Sequence, residues 1–170
     1  GVACAQGEWI LFLGSDDHLF HARVLEEVSD HLKKIPAPVQ IAYAKVLILD
    51  TEGRRVCVLG KPWDKESNRF LQIMLNMPHQ GVFHRRRLFE QHGMFDESLR
   101  IVADKEILVR GLKEDDPVFY LDIIVSVMQQ GGISSDIKNS FIVLREHHYI
   151  AKKHAQKLPF WYWFSALAKA

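Results

Sequence analysis

The segment GEWILFLGSDDHLF constrains the fold most tightly. Trp9 to Leu13 form an unbroken apolar run between Gly7 and Gly14. A run this short, bounded by glycines, reads as a strand buried on both faces, the kind found in parallel α/β sheets. It stops abruptly at Gly14-Ser15-Asp16-Asp17. Ligands of open α/β sheets bind beyond the carboxyl ends of the strands. Two adjacent carboxylates there repel each other unless a cation or hydrogen-bond donors offset the charge. Magnesium and manganese take hard oxygen ligands and commonly share them with phosphates. An ion held at Asp16 and Asp17 could clamp a diphosphate and stabilise its charge as it leaves. The same residues admit a plainer role, in which Ser15-Asp16 caps the following helix.

The rest of the chain alternates between strand and helix signals. HLFHARVLEEVSDHLKK has Leu19, Val24, Leu25, Val28 and Leu32 at helical spacing, and Pro36 and Pro38 forbid continuation. VQIAYAKVLILD and RRVCVLG flank Thr51-Glu52-Gly53-Arg54, a hairpin pattern. ESNRFLQIMLN reads as a helix. QGVFHRRRLFEQHG reads as a strand and a helix that Gly93 can cap. ADKEILVRGLKED is helical, with Ile107, Leu108 and Leu112 on one side. VFYLDIIVSVMQQGG is a strand ended by paired glycines, and SFIVLREHHYIAKKHAQK is helical in pattern. This alternation predicts an α/β fold.

Length and charge exclude several classes. The 170 residues suffice for one domain with a core, and the formal net charge of +1 argues against a nucleic-acid binder. Cys4 and Cys57 stand far apart and form no CxxC, so neither a disulfide framework nor a cysteine zinc site is expected, and a reducing, cytosolic setting is the default. No signal-peptide pattern and no transmembrane run is present. The opening GVACAQGEW reads like the tail of a helix entering a strand, as in a piece of a longer chain.

Two long segments carry a resemblance. GVACAQGEWILFLGSDDHLF resembles the donor-site segment of the family 2 glycosyltransferases of the GT-A type. MPHQGVFHRRRLFEQHGMFDESLRIVADKEILVRGLKED is similar to their acceptor-side segment, and QQGGISSD to their strand-to-Gly-Gly-x-Ser ending. The resemblance covers residues 1–136 and implies a GT-A-like mixed sheet with flanking helices. It implies that the first nucleotide-binding βα units precede Gly1, and that residues 137–170 form a helical extension. It further implies transfer of a sugar from a nucleotide-diphospho-sugar donor to a glycan or lipid-linked acceptor hydroxyl, with inversion and a Mn2+ or Mg2+ ion, in bacterial glycan synthesis. Asp17 matches the metal-binding Asp. Asp16 matches its donor-supporting neighbour. Asp104 matches the catalytic base. His79, Gln80 and Gly132 match residues lining the donor cleft. Two positions depart from the pattern: Gly14 and Ala103 stand where the family often has an acid.

Each residue also has a plainer reading. Asp104 sits where a helix N-cap is wanted, Asp96-Glu97 can be a solvated turn, and His79 a loop residue bonded to backbone. His84 to Arg87 read as a solvated helix start, with phosphate contact as the alternative. His18 and His21 fall three apart on one expected helix, and His147, His148 and His154 on another, yet no HExxH or Cys/His spacing appears. The closing FWYWF reads as core covering or as a peripheral membrane contact at the inner face. An unpaired strand edge left by missing units predicts self-association. The rival function is a non-catalytic remnant or partner-binding α/β domain without a complete donor site.

Overall fold

A computed structural model describes residues 1–113, 115–131 and 139–156, together with residue 162. The elements run β1 (Trp9–Leu11), β2 (His18–Leu19), α1 (Val24–Leu32), β3 (Ile41–Leu49), β4 (Arg55–Leu59) and α2 (Arg69–Asn76). Then follow β5 (Val82–Arg85), α3 (Arg86–His92), α4 (Ala103–Gly111), β6 (Val118–Gln129) and α5 (Ser140–Lys153). The six strands make one mixed sheet in the order β1-β5-β3-β6-β2, with β4 also paired to β3. Among the described residues only β3 and β6 pair in parallel; the other pairings are antiparallel. The expected mixed α/β sheet with flanking helices is therefore present.

The centre of that sheet is β3, not the apolar run at Trp9. In β3 Ile41 and Tyr43 enter one core, shared with α2, α3, α4 and α5, while Ala42 and Ala44 enter the other, shared with α1. Alternate side chains of a strand point to opposite faces, so a strand with helices on both sides is apolar throughout. By contrast, β1 pairs antiparallel with β5 along one edge only, among the described residues, and only Ile10 is buried in it. The expectation of a doubly buried parallel strand there is corrected: the run is apolar because its residues serve two half-covered faces.

A second correction concerns the helix after the acidic loop. It begins at Val24, and His18–Leu19 are a short strand paired to Val127 and Ser126 of β6. Pairing with the long β6 outweighs the helical spacing of Leu19. His18 and His21 therefore share no helix. The hairpin β3–β4 forms as expected, its turn held by Asp50, whose Oδ1 accepts the N–H groups of Glu52 and Arg54. Gly93 closes α3 with φ 83° and donates to the Phe89 carbonyl, as a glycine C-cap does.

The arginines after His84 tie the chain down and do not form a solvated start. Arg85 is buried, donates to the Val39 carbonyl, pairs with Glu8 and lies 4.4 Å over the Trp9 ring. Arg86 donates to the Gly7 carbonyl, and Arg87 to that of Ala37. Both cysteines are free and exposed. Among the described residues no helix is long and apolar enough to cross a membrane. The closing aromatic stretch lies outside the described residues except Tyr162.

Candidate active site at the carboxyl edge of the sheet

Topology brings the candidate residues to one edge. Both β1 and β3 pair antiparallel with β5, so they run the same way, and β6 is parallel to β3. The carboxyl ends of β1, β3 and β6 thus share an edge, where ligand sites of such sheets form. The loop with Asp16 and Asp17 leaves β1 there, Gln130 donates to the Leu49 carbonyl there, and the turn His79–Gly81 enters β5 there. That turn lies directly on β3: a Cβ on Gly81 would stand 2.6 Å from the Ala44 carbonyl oxygen. Ser126 of β6 donates to the Gln80 carbonyl, and the Gln80 amide lies 3.0 Å from the Met128 sulfur.

Asp16 and Asp17 do not cap α1, which starts seven residues later with Arg23 as its N-cap. Instead the loop folds back on itself. The Gly14 N–H donates to Asp17 Oδ2 at 2.9 Å, and a Cβ on Gly14 would lie 2.6 Å from that oxygen and 3.1 Å from Asp16 Oδ1. Both carboxylates therefore converge over the bare glycine. Asp17 Oδ1 is enclosed and has no hydrogen-bond partner. Among the described residues no group of three or more His, Cys, Asp or Glu is placed to hold a metal alone.

Phe12 links this loop to the second half of the site. Its ring stacks on His79 at 5.9 Å and meets Phe89 and Phe95 edge-on. His79 in turn places Nδ1 3.5 Å from Asp104 Oδ2, with side chains 31% and 19% exposed, so a ligand can reach both. The N-cap of α4 is Val102, and Asp104 lies in its first turn without capping it. The plain reading as a cap is corrected: its carboxylate faces His79.

Around Asp104 the first turn of α4 is pinned on several sides. The Lys105 ammonium donates to the carbonyls of Ile73 and Met77 at the end of α2, and its burial lowers its pKa against the pull of Asp104. Glu106 is fully buried; Lys153 and His154 bond its Oε1, and Arg110 lies 3.0 Å from Oε2. Burial raises the Glu106 pKa, but the hydrogen bonds from Lys153 and His154 and the charges of Arg110 and Lys153 outweigh it and hold the carboxyl below its ordinary value. Asp96 is no solvated turn either, since Lys153 bonds it and holds its carboxyl well below the usual carboxylate range. Behind Asp104 lie His84 and His147, which burial keeps neutral, with pKa values pushed down to about 3 and about 4. The Tyr162 hydroxyl lies 2.6 Å from His147 Nδ1.

Of the expected site residues, the structure gathers Asp16, Asp17, His79, Gln80 and Asp104 along this edge. Gly132 lies outside the described residues, as does the boundary at residue 136. Sequence reasoning missed Phe12, Lys105, Glu106 and Glu146. A signal existed for Glu146: it falls three residues after Val143 and four before Ile150, on the apolar stripe of α5.

Comparisons with known proteins agree with this architecture. No family model matches the chain. Over 139 residues, 81% of its length, the chain is 31% identical to PGL/p-HBAD biosynthesis glycosyltransferases of Mycobacterium bovis and Mycobacterium tuberculosis, of which it covers 51%. Its fold is similar to that of S. aureus TarS. The crystal structure of TarS 1-349 aligns with a TM-score of 0.52 and 16% identity over 99% of this chain and 47% of that one. The complex with UDP-GlcNAc aligns with a TM-score of 0.53 and 18% identity over 77% and 37%. The chain is thus similar in sequence to named bacterial glycosyltransferases and in fold to TarS, and it spans about half the length of the curated relatives it matches.

Proposed function

We propose that this chain forms the metal-binding and acceptor side of a GT-A glycosyltransferase acting in bacterial glycan synthesis. It would transfer a sugar, with inversion, from a nucleotide-diphospho-sugar donor to a hydroxyl of a glycan or lipid-linked acceptor. One observation carries the reading. A reachable carboxylate, Asp104, stands beside His79, and Phe12 connects that pair to two converging carboxylates at the end of β1. The mycobacterial relatives are named glycosyltransferases, and TarS has been crystallised with UDP and with UDP-GlcNAc.

The Asp16–Asp17 loop fits a Mn2+ or Mg2+ ion shared with phosphates. It offers an enclosed oxygen without a partner and a glycine that leaves room between the carboxylates, and such ions often need only one or two protein carboxylates. When bound, the ion would offset the charge that develops on the leaving diphosphate. Asp104 accepts the acceptor hydroxyl proton as that oxygen attacks the anomeric carbon. The new carbon–oxygen bond forms as the bond to the diphosphate breaks, and the nucleotide diphosphate leaves with the electron pair. His79 holds the Asp104 carboxylate in place, and Gln80 lines the same edge.

The test measures nucleotide diphosphate release by the full-length protein, with water standing in for the acceptor hydroxyl. The donors are UDP-GlcNAc, UDP-glucose, UDP-galactose and dTDP-rhamnose, with and without Mn2+. Release is expected from at least one donor, dependent on Mn2+, and Asp104→Asn should lower kcat by about a hundredfold or more while donor binding persists. Silence with every donor, or normal turnover in the variant, counts against the reading.

A further inference from the structure

The buried acid Glu146 has no part in the chemistry above, and its position is specific. It lies on α5, 5% exposed, and its hydrogen bonds among the described residues all come from backbone N–H groups. Its carboxylate is satisfied entirely by backbone. Oε1 accepts the Arg100 N–H at 2.8 Å, and Oε2 accepts those of Ile101 and Val102 at 3.0 Å each. These residues are the last before α4 and include its N-cap, Val102. A buried carboxylate is costly unless its oxygens are met, and a helix N-terminus meets them with fixed donors and a favourable dipole.

We infer that Glu146 is a positioning residue for Asp104, an inference that rests on Asp104 being the base proposed above. Three N–H groups gathered on one carboxylate fix the backbone through residues 100–102. Asp104 follows two residues later in the first helical turn, so its carboxylate takes its direction from that segment. The remaining anchors act on the residues after Asp104 in the same turn. Lys105 ties it to α2, and Glu106 ties it to the far end of α5 through Lys153 and His154. Neither side chain bonds residues 100–102; only their backbone N–H groups reach the Val102 carbonyl, as in any first helical turn. Small displacements of a catalytic group relative to its substrate carry large rate effects, which gives such a clamp its function.

Glu146→Gln is the natural probe, since it keeps the shape but puts an amide donor where at least one carboxylate oxygen accepted N–H groups. The rates to compare are kcat and KM for the donor turned over fastest in the panel above, in full-length protein. The variants are Glu146→Gln, Asp104→Asn and the double variant. Positioning predicts that Glu146→Gln lowers kcat at least about tenfold with the donor KM unchanged. It also predicts that in the Asp104→Asn background the same substitution costs less than about twofold, because there is no base left to misplace. Multiplying losses would show a general structural role and overturn the inference, as would unaltered kcat in the single variant. If Glu146→Gln lacks a cooperative melting transition, Glu146→Asp takes its place in the same cycle, since it retains the charge with a shorter reach. A turnover indifferent to Asp104→Asn alone overturns the reading of Asp104 itself, and this inference with it.

Discussion

At Gly14 the missing side chain matters more than any neighbouring one. The chain has no Cβ there, and both carboxylates close over the gap. Gly14 has no left-handed φ, so alanine suits its backbone. The added methyl would meet the two carboxylates, at 2.6 Å from Asp17 Oδ2, 3.3 Å from Asp17 Cγ and 3.1 Å from Asp16 Oδ1. Gly14→Ala should therefore leave thermal stability nearly unchanged but raise the Mn2+ concentration for half-maximal turnover at least about tenfold, as disturbing the groups around a metal's ligands does. A Mn2+ titration of donor turnover decides it; an unchanged midpoint would show that the loop does not hold the ion. Apolar runs made the end of β1 and the start of α4 readable, and so the places of Asp16, Asp17 and Asp104; the roles expected of them came from the resemblance, and their cap readings failed. The partners of Glu146 and Lys105 were hidden because they are backbone amides and carbonyls, which every residue carries alike.

The helix α4 shows what the element pattern alone conceals. Its spacing revealed the buried side, Ile107 and Leu108, and its start near Asp104. It did not reveal that Glu106 is fully buried, since an acid in the first turn of a helix normally faces water. The reason lies in α5, where Lys153 and His154 arrive from 47 and 48 residues away. Removing one member of a buried ion cluster leaves the others uncompensated. Glu106→Gln should destabilise the fold by about 3 kcal/mol, at the low end for such a loss because Lys153 and Arg110 still reach water. Urea denaturation of the variant against the parent protein measures this, and a change under about 0.5 kcal/mol would show that the cluster is only a surface network. The same contrast explains the misjudged strand. The run at Trp9 is unbroken while β3 carries Lys45, and only the pairing order places β3 at the centre and β1 at the edge.

For the molecule as a whole, the two histidines behind the site link stability to pH. His84 and His147 lie buried on the side of the sheet that α2 to α5 cover, and burial drives both toward the neutral form, to about 3 and about 4. In the unfolded chain each would take up a proton near its ordinary value of about 6.5. Between those values the unfolded state binds protons that the folded state refuses, so stability falls as pH drops below about 6.5. Each histidine contributes a slope of up to about 1.4 kcal/mol per pH unit across that window. The carboxylates with lowered pKa values, Asp96 and Glu106 among them, lose their contribution only as pH falls below about 4.5, where their unfolded forms begin to take up protons. The interval from pH 6.5 to 4.5 thus belongs to the histidines. His147→Gln keeps an acceptor for the Tyr162 hydroxyl but cannot titrate, so it should roughly halve the slope of unfolding free energy in that interval while leaving the loss below it intact. Unfolding curves in urea at half-unit pH steps would show this. An unchanged slope would mean that His147 becomes protonated without unfolding, and that water reaches the inner wall of the site.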